Sequence, residues 1–266
     1  PAYKEDEFAF YLEDLKARAI IVEAGYDGPA RAAADRLDMT VIELTATEPA
    51  GNFTLSTDAT GSAPDTAPTA DDVALILHTS GTTSRPKIVP LLQSNVAASA
   101  ENIRASLALT ADDCCLNVMP LFHIHGLIAA VSASLAAGAS ISCAPGFDAL
   151  KFYGWLEEVD PTWYTAVPTM HQAILARAPR NADIIKNARL RFLRSSSSSL
   201  PGPVMTQLAE TFGAPVVEAY GMTEAAHQMC CNPIEPGRQK PGAVGLPAGP
   251  EVAIAHEVEN RLVDGV

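Results

Sequence analysis

Short apolar runs alternate with segments of helical periodicity along most of this chain. After residue 72 the apolar runs lie at 73–78, 114–119, 139–143, 163–167, 191–195 and 215–219. The helix faces between them comprise Val96, Ile103 and Leu107; Leu150, Tyr153 and Leu156; Met170, Ile174 and Ala178; and Val204, Leu208 and Phe212, with a mostly apolar helix at 127–137. Strands that are joined through helices run parallel. The alternation therefore predicts an α/β fold, with helices flanking a largely parallel sheet.

The first 71 residues divide into a structured part and an irregular part. Residues 19–23 and 40–44 have the composition of strands, and a helix is predicted between them over 29–37. Residues 46–71 are rich in Thr, Ala, Pro, Gly and Asp without periodicity, which predicts a long surface loop or linker. We therefore expect an α/β segment over 1–45, a loop or linker over 46–71, and an α/β core over 72–266.

Charge and composition exclude several functional classes. The 266 residues carry a formal net charge of −13, and an acidic surface repels the phosphates of nucleic acids. No run of about 20 apolar residues is present, so no membrane span is expected. The five cysteines lack C-x-x-C spacing and favour free thiols in a reducing compartment, hence a cytoplasmic location. The chain starts without methionine or a signal peptide, and we expect a segment truncated at both ends.

Residues 78–87, His-Thr-Ser-Gly-Thr-Thr-Ser-Arg-Pro-Lys, have the composition of a phosphate-binding loop. Gly81 permits a tight turn, and successive backbone amides in such a loop form a concave site for anions. Lys87 adds a point charge and Arg85 a fork of donors. Pro86 occupies the place of the second glycine of a Walker A motif, so the loop is of another kind.

Two further polar loops follow predicted strands, at 195–199 and 220–224. Ligands of parallel α/β folds bind at the carboxyl ends of strands, so these loops and residues 79–87 are expected to share one edge of the sheet. His123 and His125 are spaced like a metal pair, but no third ligand lies nearby in the sequence. Each of them is also readable as a structural histidine.

The chain resembles the adenylate-forming superfamily of acyl-CoA synthetases and other AMP-binding enzymes. The resemblance rests on residues 79–87, on Phe-His-x-x-Gly at 122–126, on the serine-rich segment 194–201 and on Tyr-Gly-Met-Thr-Glu at 220–224. Ser84 followed by Arg85, together with His227, resembles the oxalate–CoA ligase branch. The family pattern has glycine at the position of Ile88. Because a β-branched residue rarely adopts positive φ, we expect a different exit from the loop.

The resemblance implies a role for each motif. The phosphate contacts fall on Thr79, Ser80, Gly81, Thr82, Thr83, Ser84 and Lys87, and the other nucleotide contacts on Ser197, Ser198, Tyr220, Gly221, Met222 and Thr223. Tyr220 is expected to stack on adenine and Thr223 to contact the α-phosphate. Glu224 is the expected ligand of Mg²⁺, a cation that prefers oxygen ligands. The acid would contact His123, Ser199 and His227, and the catalytic set would be Thr223, Glu224, Lys87 and His123.

The implied function is an ATP-dependent carboxylate–CoA ligase acting on a small carboxylic acid such as oxalate, with ATP, Mg²⁺ and coenzyme A. The chain would be part of the large N-terminal domain of such an enzyme. The small C-terminal domain would be absent and the segment inactive alone. A peroxisomal location is the alternative for a eukaryotic source. A non-catalytic nucleotide-binding remnant, or an adenylation domain that loads a carrier protein, are the alternative functions.

Overall fold

The computed structural model describes residues 3–57, 66–79, 86–256 and 262–263, and it divides into two compact units, Pro1–Ala67 and Pro68–Val266. The first unit comprises α1 (Glu5–Asp14), β1 (Ala19–Glu23), α2 (Pro29–Arg36), β2 (Thr40–Thr47) and β3 (Asn52–Leu55). β1 and β2 pair in parallel, and β3 pairs antiparallel with β2. The strand at 19–23 is confirmed.

The irregular segment predicted over 46–71 contains structure that the sequence did not indicate. Residues 52–55 form β3, so the loop prediction was wrong there. All four residues of β3 are exposed, so no buried face leaves a mark in the sequence. The boundary between the two units, after Ala67, also lies in this segment.

The second unit alternates strands with helices as predicted. Its strands are β4 (Val73–Thr79), β5 (Lys87–Leu92), β6 (Cys114–Asn117), β7 (Ser140–Cys143), β8 (Trp163–Ala166), β9 (Phe192–Ser195), β10 (Val216–Met222), β11 (His227–Cys231) and β12 (Leu246–Pro247). Its helices are α3 (Gln93–Ser106), a π-helix (His125–Ser132) that continues as α4 (Ala133–Ala136), α5 (Phe152–Val159), α6 (Pro168–Leu175), α7 (Ala182–Asn187) and α8 (Gly202–Phe212), with short 3₁₀ turns at Ala178–Arg180 and Thr223–Ala225.

The main sheet has seven strands in the order β12-β11-β10-β9-β8-β6-β7. The five strands β6 to β10 are all parallel, which confirms the predicted α/β architecture. β11 and β12 extend the sheet in antiparallel fashion beyond β10. The parallel part positions the carboxyl ends of β8, β9 and β10 side by side.

β4 belongs to a separate two-stranded sheet, which corrects the expected arrangement of the phosphate loop. It pairs antiparallel with β5, and Thr79 lies opposite Lys87. Lys87 is therefore the first residue of a strand, and the loop joins two strands of a hairpin instead of leaving the parallel sheet. The sequence did not predict β5, because Pro90 has no N–H to donate within a sheet and therefore argues against a strand at 87–92. Ile88 lies in this strand with no positive φ, so its β-branched side chain is compatible with its backbone.

Two apolar clusters cover the two faces of the main sheet. One contains Phe152, Tyr164, Ile174, Leu193 and Leu208, and the other contains Ile103, Leu107, Ile128, Trp163, Phe192 and Val217. Neighbouring residues of β8 and β9 alternate between the clusters, as the period of two in a strand requires. The predicted helix face at Leu150 is wrong, because α5 begins only at Phe152 and Leu150 is exposed.

Polar residues replace the apolar ones where β8 and β9 end. Thr165 follows Trp163 on one face of β8, and Arg194 follows Phe192 on the same face of β9. The carboxyl end of the sheet is thus polar beneath the π-helix. None of the helices in the described ranges has the length and apolarity to cross a membrane.

Candidate functional site

A cavity of about 290 Å³ lies at the carboxyl ends of β9 and β10. Its walls are Ser197, Ser198, Ser199, Glu218, Ala219, Tyr220, Gly221 and Val244. The serine-rich loop and the tyrosine motif, which are about twenty residues apart in sequence, therefore meet at one site, as predicted. The loop predicted over 220–224 was wrong at its start, because Tyr220, Gly221 and Met222 form the end of β10. The Tyr220 ring is partly solvent-exposed, so one of its sides is free to contact a ligand.

The serine-rich segment is hydrogen-bonded to β10 through Ser196 and Leu200, and it enters the cavity in a strained conformation. Ser196 is buried, and its hydroxyl donates to the Ala219 carbonyl at 2.9 Å. Ser197 has a φ of +72°, a left-handed conformation that is unfavourable for a serine. Such strain occurs preferentially where a backbone is shaped for binding.

The turn between β10 and β11 brings His227 under the tyrosine motif. Ala226 and His227 have φ values of +51° and +109°, and a β-bulge lies between Tyr220 and Gly221. A Cβ atom on Gly221 would lie 1.6 Å from the His227 carbonyl oxygen. Glycine is therefore required at position 221, because β10 and β11 approach too closely for any side chain.

His125 occupies the centre of the polar layer between the sheet and the π-helix. Its Nδ1 lies 3.0 Å from Ser197 Oγ, and its Nε2 lies 2.6 Å from Thr165 Oγ1. The ring is fully buried and 5.6 Å from the ring of His227. Burial, with a contribution from the charge of Arg194, lowers the pKa of His125 well below its usual range. The imidazole is therefore neutral at physiological pH, with one donating and one accepting nitrogen.

His123, the histidine that the sequence favoured for catalysis, lies on the solvent side of this layer. It is exposed, and its Nδ1 accepts a hydrogen bond of 3.1 Å from the His125 backbone N–H. His125 is the histidine that contacts the cavity wall, through Ser197. Both His123 and His125 were candidates from the sequence, which does not show which of the two is buried.

His227 lies next to His125, and its contact with the acid stays a prediction. It is 2 % exposed, and its Nδ1 has no hydrogen-bond partner within the described part of the chain. Burial, together with the charge of Arg194, lowers its pKa well below the usual range, so this imidazole is also neutral. This ring nitrogen is an unsatisfied buried polar group beside His125, which calls for an explanation.

The sequence analysis missed two charged residues inside strands. Arg194 is fully buried on β9, and Glu218 is 3 % exposed on β10. Glu218 accepts a 2.8 Å hydrogen bond from the Leu200 N–H through Oε1, whereas its Oε2 has no partner among the described residues. Burial raises the pKa of Glu218. A charge within an otherwise apolar strand is the signal that could have identified both.

The predicted phosphate contacts at Ser80, Gly81, Thr82, Thr83 and Ser84 lie outside the described residues. Thr79 and Lys87, on either side of them, are opposite each other where the two strands of the hairpin are joined, and Lys87 is exposed. Its ammonium group is thus free to reach a ligand.

Thr223 and Glu224 start the 3₁₀ turn after β10, and Glu224 is exposed. Glu224 lines a second cavity of about 340 Å³, together with Asn95, Ser99 and Asn102. In the described ranges no group of three His, Cys, Asp or Glu side chains is arranged to hold a metal. A single carboxylate fits Mg²⁺ only in the mode in which substrate phosphates and water complete the coordination.

The family model for AMP-binding enzymes matches residues 1–266. The chain belongs to the AMP-binding enzyme family. It is 44% identical to the oxalate–CoA ligase of Arabidopsis thaliana over 263 residues, which are 96% of this chain and 51% of that protein. It is 37% identical to the oxalate–CoA ligase of Saccharomyces cerevisiae, over 100% of this chain and 53% of the yeast protein.

The fold matches solved structures of the same kind. ATP-bound MatB from Rhodopseudomonas palustris superposes with a TM-score of 0.80 at 28% identity, covering 98% of this chain and 51% of MatB. The resemblance predicted from the motifs is confirmed, down to the oxalate–CoA ligase branch. The chain spans about half the length of the curated relatives it matches.

Proposed function

We propose that the protein carrying this chain is an ATP-dependent carboxylate–CoA ligase that acts on a small carboxylic acid, with oxalate as the first candidate. In the first half-reaction a carboxylate oxygen attacks the α-phosphorus of ATP and pyrophosphate leaves. In the second, the sulfur of coenzyme A attacks the acyl carbon of the resulting adenylate and AMP leaves. Membership of the AMP-binding family and the two oxalate–CoA ligase relatives support this proposal.

The observation that carries the proposal is the meeting of the serine-rich loop and Tyr220 at one cavity, where Ser197 in the wall contacts the buried His125 and His227 lies next to His125. The small side chains of Ser197 and Ser198 let a flat purine approach the backbone, and the accessible ring of Tyr220 offers a surface on which it stacks. Thr223 follows immediately and would contact the α-phosphate. Lys87 and the amides of residues 79–84 would hold the β- and γ-phosphates, because positioning and charge neutralisation dominate phosphoryl chemistry.

The acid would bind where Ser197 meets His125 and His227. When Nδ1 of the neutral His125 carries the proton, it donates to Ser197 Oγ, while Nε2 accepts from the Thr165 hydroxyl. The Ser197 hydroxyl is then directed to donate to a carboxylate. The unpartnered Nδ1 of His227 supplies a second polar contact. Polar groups at this density suit a short acid with oxygen atoms at both ends more than an alkyl chain.

Glu224 is the residue that would hold Mg²⁺ together with the phosphates of ATP, beside Thr223 at the α-phosphate, and the cation would supply charge neutralisation there. Glu224 is exposed and carries no internal hydrogen bond or ion pair in the described ranges that would compete for its oxygens. Coenzyme A is the proposed thiol. All five cysteines are free, which supports a reducing compartment such as the cytoplasm.

A pyrophosphate-release assay with a panel of acids tests the proposal. The protein at its full length would be supplied with ATP, Mg²⁺ and oxalate, malonate, glyoxylate, octanoate or benzoate, with and without coenzyme A. We expect oxalate to give the highest kcat/KM and the thioester to form only with coenzyme A. Preference for octanoate or benzoate would overturn the substrate assignment. Adenylate without transfer to coenzyme A would favour a carrier-loading domain, and no release with any acid would favour a nucleotide-binding remnant.

The variant Lys87→Met sharpens the test of the phosphate site. Removing a preorganised charge from a transferring phosphoryl group costs roughly a hundredfold or more in kcat. We expect a loss of about that size with no change in thermal stability, because Lys87 is exposed. Lys151→Met removes another exposed lysine, at the start of α5, and should leave the rate unchanged. Equal rates for both variants would remove Lys87 from the proposed site.

A further inference from the structure

Arg194 is a buried cation that the fold leaves incompletely paired. Its side chain is fully buried, and within the described ranges its side chain makes a single hydrogen bond, from Nη2 to Gln228 Oε1 at 3.3 Å. Nε and Nη1 have no partner among the described residues, and no carboxylate there forms an ion pair with it. A buried charge without a counter-charge costs several kcal/mol. Arg194 is therefore a net burden on folding in the absence of an anion.

The surroundings of Arg194 connect it to both imidazoles of the proposed acid site. Arg194 lies opposite Thr165 in the register of β9 and β8, and the Thr165 hydroxyl contacts His125. On the other side, Gln228 accepts its hydrogen bond and follows His227 directly in β11. Ser197, on the cavity wall, is three residues after Arg194 in the chain. The cation thus lies behind the two histidines, away from solvent.

The electrostatic state of the layer follows from this placement. Burial lowers the pKa of Arg194 to about 10, which still leaves it charged at neutral pH. Its charge also contributes to keeping His125 and His227 neutral. The positive field at the acid site consequently originates from Arg194, whereas the imidazoles offer hydrogen bonds without charge.

We propose that Arg194 is a positioning and selectivity residue whose buried charge favours acids with a second anionic group over monocarboxylic acids of equal size. This inference rests on the proposed function and identifies the substrate class of the same site. Charges about 8–10 Å apart at an effective dielectric constant of about 20 change an affinity by about 10- to 30-fold. Arg194 needs no contact with the acid, since the field acts across the histidine layer.

Binding measurements separate this role from a structural one. The protein at its full length would be titrated with oxalate and with glyoxylate, an acid of similar size with one carboxylate, at constant ionic strength. In Arg194→Met we expect the Kd for oxalate to rise about tenfold or more and the Kd for glyoxylate to change less than about threefold. Arg194→Lys should retain most of the oxalate preference. Arg104→Met, which removes an exposed arginine of α3, should match the wild type.

The melting temperature also separates the two roles. Replacing a purely structural arginine would lower it. Because Arg194 is incompletely paired, the melting temperature of Arg194→Met without ligand should equal or exceed that of the wild type. An unfolded Arg194→Met variant, a lost oxalate preference in Arg194→Lys, or equal oxalate affinity in wild type and Arg194→Met would each overturn the inference.

The two proposals fail in distinguishable ways. Absence of oxalate binding by the wild type overturns the role of Arg194, whatever acid the pyrophosphate assay favours. Tight oxalate binding that depends on Arg194, without pyrophosphate release, supports the role of Arg194 and overturns the ligase assignment. If oxalate supports pyrophosphate release equally in the wild type and in Arg194→Met, the ligase assignment is supported and the role of Arg194 is overturned.

Discussion

The two ends of the parallel sheet carry polar clusters that differ in how completely they are paired. At the amino ends of β6, β8 and β9, the 2 %-exposed carboxylate of Asp113 accepts from Thr162 Oγ1 at 2.7 Å, from Thr110 N at 2.9 Å and from Arg191 Nη1 at 2.6 Å. At the carboxyl ends, the Arg194 side chain makes one hydrogen bond in the described part of the chain, a 3.3 Å bond from Nη2 to Gln228 Oε1. The first cluster satisfies its charge internally, whereas the second leaves donors and acceptors open.

This difference distinguishes polar groups that stabilise the fold from polar groups that are suited to bind a ligand. Buried polar groups are nearly always hydrogen-bonded, so each unpaired one requires an explanation. The amino-end cluster joins three strands through one carboxylate. The carboxyl-end layer instead contains unpaired atoms on Arg194, His227 and Glu218, all next to the proposed site. Unpaired buried atoms also occur on Ser99, Ser134 and Trp163, but the titratable side chains with unpaired buried atoms in the described ranges lie at the same edge as the sequence motifs.

Removing the carboxylate of Asp113 should have the largest effect on stability. Asp113→Ala leaves Thr162 and Arg191 without their buried partner, and breaking such a pair costs about 3 kcal/mol. Urea denaturation should show this loss, while the preference among acids stays unchanged. Asp112→Ala, at the exposed neighbouring position, should change the free energy of unfolding by less than about 0.5 kcal/mol. Equal stability of the two variants would contradict a structural role for the cluster.

The same carboxylate predicts a contribution to acid unfolding. Burial alone would raise the pKa of Asp113, but the hydrogen bonds from Thr162 and Thr110 and the charge of Arg191 more than offset it and lower the pKa. A carboxyl group whose pKa is lower in the folded state than in the unfolded state stabilises the fold at pH values above its unfolded-state pKa. That stability is lost as the pH falls through the folded-state pKa. Asp113→Ala should therefore flatten the decline in stability below about pH 4, which Asp112→Ala should not.

At the opposite end of the sheet, His227→Asn should impair function more than folding. Asparagine tolerates the positive φ at this position, so the variant removes the imidazole with little added strain. We expect kcat/KM for oxalate to fall about 30-fold, equivalent to about 2 kcal/mol, with an unchanged KM for ATP. A melting temperature within a few degrees of the wild type is part of the expectation. A stability loss like that of Asp113→Ala, with full activity, would place His227 among the structural residues.

The sequence predicted the parallel part of the fold and the location of the site because both depend on local patterns. Strands buried on both faces, such as β8 and β9, appear as apolar runs, and the loops after them carry the family motifs. The antiparallel strands β3, β5, β11 and β12 were missed. β3 is exposed and β12 has two residues, so neither displays a clear apolar pattern, whereas β5 is apolar but contains Pro90.

The polar layer beneath the π-helix could not be predicted, since it depends on register. That His125, and not His123, contacts Ser197 follows from the start of the π-helix at His125. The close approach of Gly126 to the Pro120 carbonyl, where a Cβ atom would lie 2.5 Å away, fixes that start. Likewise, Thr165 and Arg194 become neighbours only through the pairing of β8 with β9. Such contacts join residues far apart in sequence, and no short motif encodes them.

Glu218→Gln should give the smallest effect and tests a half-paired member of the carboxyl-end layer. Burial raises the pKa of Glu218, so its contribution to stability is present below the unfolded-state pKa and is lost as the pH rises through the folded-state value. As the pH rises above about 4, the ordinary range of a glutamate, the wild type should lose stability that the glutamine variant retains. Glu210→Gln, on the exposed side of α8, should behave as the wild type. Parallel pH profiles for all three proteins would show that Glu218 titrates normally, and that the open Oε2 is already satisfied by solvent from the cavity.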